Sequence, residues 1–139
     1  MGNSDLIFKP PTSQHPWSNY GTLTLNNAIN GIIYQYKTEY CADPRYQKVA
    51  INDMALPFGG VFDVNLNFNP PHYTHSHGAT VDIRCKPAAN NSVIWDQAVI
   101  NRFLRIANDK GLYYSILENS NDMNVVHCHC STDANGIGY

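Results

Sequence analysis

The sequence predicts an α+β domain in which helices pack on a small antiparallel sheet. Two stretches carry helical apolar spacing, several short stretches alternate as strands do, and their order runs helix, strands, helix, strands. A length of 139 residues suits one domain with a single buried core.

Each element can be read in turn. Residues 9 to 18 hold Pro10, Pro11 and Pro16 among polar side chains, so residues 1 to 21 read as an irregular arm laid on a surface. From Thr24 onward, Leu25, Ala28, Ile29, Ile32 and Tyr36 recur with helical period, and Gly31 weakens that helix without ending it. Asp43-Pro44 marks its exit loop. Residues 48 to 54 begin β-like, with Val49 and Ile51 on one face, and a Gly59-Gly60 turn leads to a short strand candidate at 61 to 64. Asn69-Pro70-Pro71 stops regular structure, and residues 81 to 85 then alternate as a strand should. Residues 86 to 91 read as a loop, and Ser92 stands before a second helical run. In that run Trp95, Val99, Phe103 and Ile106 share one side, while Ile100, Leu104 and Ala107 widen it. Gly111 suits the left-handed position after its last turn. Residues 113 to 117 and 125 to 130 supply two more strands, joined by a polar, asparagine-rich loop from 118 to 124.

Composition narrows the function. Hydrophobic residues at 43% with 12% aromatics describe an ordinary globular chain. The formal net charge is −2 and the nine Lys and Arg residues are scattered, which argues against nucleic acid as a partner. No apolar run approaches the roughly 20 residues of a membrane span. The N-terminal stretch lacks the charged and apolar regions of a signal peptide, and Leu6 breaks the myristoylation pattern. Cys41, Cys85, Cys128 and Cys130 are too sparse for a disulfide-stapled miniprotein, so they read as small buried hydrophobes or as disulfide partners.

The chemistry concentrates in two clusters, with His72, His75 and His77 ahead of Asp82 in one and His127 and His129 in the other. Residues two apart on a strand share a face, so His127 and His129 point one way and Cys128 and Cys130 the other. Asp82 and Arg84 likewise face together, opposite Val81, Ile83 and Cys85. If the two strands are neighbours, Asp82 and His129 converge on one point. Gly78 eases the preceding loop so that His75 reaches it too. Two imidazoles and a carboxylate suit one zinc ion and leave a fourth position for water, whose pKa zinc lowers to about 7. His77 is an alternative to His75, with the spacing to Asp82 shortened. A closed structural zinc site using Cys128 or Cys130 is a competing arrangement, but those sulfurs face away from the histidines.

These residues resemble the LAS metallopeptidases, which comprise lysostaphin-type enzymes, D-Ala-D-Ala metallopeptidases and the hedgehog signalling domain. The spacing from His75 to Asp82, with Gly78 between them, is similar to the first metal motif of the D-Ala-D-Ala and murein endopeptidase branches, and His127-Cys128-His129 to the second. Residues 51 to 63 look like the stretch before the first motif, and the likeness spans about residues 22 to 130. The resemblance implies His75, Asp82 and His129 as zinc ligands, His127 beside the metal, and residues 22 to 139 as a zinc metallopeptidase-like domain of hedgehog/D-Ala-D-Ala peptidase-like fold. It implies peptidoglycan peptides as substrates and, through them, an extracytoplasmic location. The sequence departs from the family where a general base is placed: Val126, Met123 and Asn124 stand at the three usual offsets. His127, or Glu118 or Asp122 from the polar loop, must then serve in catalysis. Because residues 127 to 132 also resemble the hedgehog run, a non-catalytic zinc-stabilised binding or signalling module is the alternative expectation.

Overall fold

The structure is a computed structural model that describes residues 6–8, 19–40, 42, 48–54, 77–85, 95–118 and 126–135. In chain order the elements are β1 (Leu6–Phe8), α1 (Leu23–Tyr40), β2 (Val49–Asp53), β3 (Thr80–Arg84), α2 (Gln97–Asp109), β4 (Tyr114–Glu118) and β5 (His127–Ser131). The strands form one sheet in the order β1-β2-β3-β5-β4. The α+β expectation holds, with a mixed sheet in place of a purely antiparallel one. The difference lies in β1, a three-residue strand within the stretch read as an irregular arm, which pairs parallel to β2. Three residues show too little alternation to register as a strand, and the edge of β2 gives their backbone groups partners. The expected turn at Gly59-Gly60, the strand at 61 to 64 and the loop at 86 to 91 lie outside the described residues.

Helix α1 begins where Thr22 Oγ1 accepts from the Leu25 amide, an N-terminal cap at 3.2 Å. Its stripe of Leu25, Ile29, Ile32 and Tyr36 is fully buried, as its spacing predicts. Helix α2 is capped by Asp96, whose carboxylate accepts from the Val99 amide at 2.9 Å. Ser92, four residues earlier, lies outside the described residues. At the other end Leu112 N–H donates to Ala107 O and Gly111 N–H to Asn108 O, a Schellman closure with Gly111 at φ +96°.

The core lies between the helices and one face of the sheet. Val81, Ile83, Cys85, Cys128 and Cys130 meet Ile29, Ile32, Val99, Phe103 and Ile106 there. Tyr36, Trp95 and Phe103 form an aromatic knot at its centre, with ring centroids 4.9 to 5.8 Å apart. Strand alternation sends the intervening residues, Asp82, His127 and His129, to the opposite face.

Candidate functional site

Strands β3 and β5 are antiparallel neighbours, with Asp82 opposite His129 and Arg84 opposite His127. The two halves of the sequence pattern, 47 residues apart, therefore meet on one face. Asp82 Oδ1 lies 2.8 Å from His129 Nδ1, and both residues are buried. Asp82 Oδ2 lies 3.6 Å from His127 Nε2. On the other flank β4 sets Glu118 opposite His127, with its Oε2 3.3 Å from His127 Nε2. One carboxylate thus spans both histidines, and a second carboxylate reaches His127 from the far side.

Glu118 arrives differently from the expectation. It is the last residue of β4 rather than part of the polar loop, so a sheet register holds it against His127. Asp122 lies outside the described residues, as do His72 and His75. His77 is exposed on the turn that carries Gly78, whereas Asp82 and His129 are buried.

Gly78 has φ +69°, in the left-handed region, and its carbonyl accepts from the Thr22 amide at 2.9 Å. A Cβ there would sit 3.2 Å from Thr22 N and 3.3 Å from Gly21 Cα. The glycine therefore serves two needs at once, the turn into β3 and a close approach to the start of α1.

The donors suit a metal by chemistry. Two donors on one tetrahedral zinc, each about 2.0–2.1 Å from the ion, stand roughly 3.3 Å apart. Asp82 Oδ1 and His129 Nδ1, at 2.8 Å, stand closer than that, at direct hydrogen-bond distance. Two of the three expected ligands, Asp82 and His129, are brought together, and the third, His75, lies outside the described residues. Among the described residues no group of three or more His, Cys, Asp or Glu side chains is arranged to hold a metal. The same Nδ1–Oδ1 contact would also let Asp82 orient His129, the role a carboxylate plays behind a ligating imidazole.

Two residues at the site escaped the sequence reading. Asp53 is buried and pairs in register with Asp82 across an irregularity between Ile51 and Asp53. That shift brings a residue of β2 level with Asp82 in a way simple alternation does not show. Tyr114 and His129 set their rings nearly perpendicular, with centroids 6.2 Å apart. It shares the β4 face with Glu118, four residues on, and alternation could have found it once β4 was placed beside β5.

Behind the sheet, Cys85 and Cys128 bring their sulfurs to 3.8 Å, and both are fully buried. Hydrogen bonding with Cys128 lowers the Cys85 thiol below its ordinary value, against the opposing effect of burial. The Cys85 contact, with burial added, pushes Cys128 well up. The opposite directions describe one pair of touching thiols, whose proton losses belong to the two sulfurs together. Burial raises Cys130 to about 12. All three sulfurs belong to the core face, away from the histidines, as strand alternation predicts. The chain matches no protein-family model and no curated protein.

Proposed function

We propose that the protein is a zinc-dependent peptidase of the LAS type that hydrolyses peptide bonds in peptidoglycan stem peptides or cross-links outside the cytoplasm. The observation that supports this most is the joining of Asp82, His129, His127 and Glu118 on one sheet face, with Asp82 Oδ1 2.8 Å from His129 Nδ1. The finer fold proposed for the two helices and mixed sheet is the hedgehog/D-Ala-D-Ala peptidase-like arrangement. His75, Asp82 and His129 would hold one zinc ion. When bound, zinc supplies Lewis-acid polarisation of a carbonyl and an acidified water at neutral pH.

The remaining work falls to side chains of this chain. His127 stands two residues before His129 on the same face, so its imidazole is the group that would move a proton beside the metal. Glu118, 3.3 Å away, would hold the ring in place and balance the charge that His127 acquires. With Val126, Met123 and Asn124 at the family's usual base positions, this His127–Glu118 pair is what favours catalysis over a purely zinc-stabilised binding module.

Zinc-loaded protein incubated with purified peptidoglycan and defined muropeptides, with products resolved by mass, tests the proposal. His129→Ala and Asp82→Ala should lose tight zinc, whereas His127→Ala should keep it and lose about 10²-fold or more in turnover. Replacing Cys128 and Cys130 by Ser should leave zinc stoichiometry unchanged. Full zinc in His129→Ala would refute the ligand set. A fully loaded wild type that cleaves nothing would refute the peptidase and leave the hedgehog-like binding module.

A further inference from the structure

We propose that Cys85 and Cys128 are a peroxide-oxidisable pair, whose disulfide staples β3 to β5 behind Asp82 and His129 while Cys130 remains a thiol. The geometry is local and specific. The two sulfurs are already in contact at 3.8 Å. A disulfide of about 2.05 Å requires them to close by about 1.8 Å. Cys85 sits in the bend just past the end of β3. Its N–H reaches Val126 O at 3.5 Å, the long end of hydrogen bonding, while its carbonyl is anchored by the Trp95 amide at 2.8 Å.

Cys130 is not an equivalent partner. It lies two residues further along β5, about 7 Å more distant from the end of β3. Its own sulfur is directed at the Cys128 carbonyl, 3.9 Å away.

The oxidation balances with hydrogen peroxide as the oxidant. The Cys85 thiol gives up its proton, and its sulfur attacks one peroxide oxygen. The O–O bond breaks, leaving a sulfenic acid on Cys85 and a hydroxide that takes the proton to become water. The Cys128 sulfur then attacks the Cys85 sulfur, the S–O bond breaks, and the departing hydroxide takes the Cys128 proton as a second water. Two thiols and one hydrogen peroxide become one disulfide and two waters. The cross-link closes a span of 43 residues and joins the two strands that carry Asp82 and His129.

The test is to treat the reduced full chain with hydrogen peroxide, block remaining thiols by alkylation and map cross-linked peptides by mass, with fragmentation separating Cys128 from Cys130. The expected product joins Cys85 to Cys128. It raises the unfolding temperature on the order of 10 °C and reverts with a dithiol reductant. Cys130→Ala should form the same cross-link, and Cys85→Ala should lose it. A bond from Cys85 to Cys130 or Cys41, or sulfinic acid on Cys85 with no cross-link, would overturn the proposal. The wild-type peptide map decides this even if a variant fails to fold.

Discussion

Replacing Gly78 by Ala perturbs the turn that leads into β3 and ties it to the start of α1. Two costs combine. An L side chain at φ +69° pays about 1–2 kcal/mol for the left-handed conformation. The new methyl would also stand 3.2 Å from Thr22 N and 3.3 Å from Gly21 Cα. These are backbone atoms and cannot rotate away. Relief requires the segment ahead of α1 to shift, which weakens the 2.9 Å bond from the Thr22 amide to the Gly78 carbonyl and adds about 0.5–1.5 kcal/mol. The expected total is about 1.5–3.5 kcal/mol. Gly111 supplies the control, because it too has a positive φ, of +96°, yet a Cβ there meets nothing within 4 Å. Gly111→Ala should therefore cost only the conformational part, about 1–2 kcal/mol. Equilibrium urea unfolding reads both as a fall in midpoint with an unchanged slope. If Gly78→Ala costs no more than Gly111→Ala, the close backbone approach is not a constraint and the reasoning is wrong.

Cys130 predicts an alkaline limit to stability. Burial raises its thiol from the ordinary 9.0 to about 12, so above pH 9 the unfolded chain releases a proton that the fold keeps. Its contribution is whole below pH 9 and falls by about 1.4 kcal/mol per pH unit between the two values. Cys130→Ala should show a correspondingly flatter decline between pH 9 and about 10.5, and identical profiles would contradict the assignment. Asp96→Ala removes the cap on the Val99 amide and should cost about 1 kcal/mol by thermal or urea unfolding. Gly31→Ala should stabilise the chain by about 0.5–1 kcal/mol, because the site is helical. The nearest atom to the added methyl, 3.2 Å away, is Cδ of the exposed, flexible Lys110 side chain. A lowered midpoint would show that Lys110 does not yield.

Local periodicity determined much of this protein by itself. The stripe from Leu25 to Tyr36 and the one from Val99 to Ile106 each follow from 3.6-residue spacing, and the helices bury them as read. The two-residue period placed His127 and His129 on one face and Cys128 and Cys130 on the core face without any knowledge of a neighbour. What alternation cannot supply is the identity of that neighbour. Pairing is a contact between distant segments, and only the tertiary structure set β5 between β3 and β4. That order brings Asp82 to His129 from one side and Glu118 to His127 from the other. It also recruited Leu6–Phe8 as a parallel edge strand and shifted the register of β2 to bring Asp53 level with Asp82. The sequence carries the face each side chain takes, because that is a property of one strand. The site itself depends on which strands lie side by side and in what register, which is settled by long-range burial and backbone hydrogen bonding.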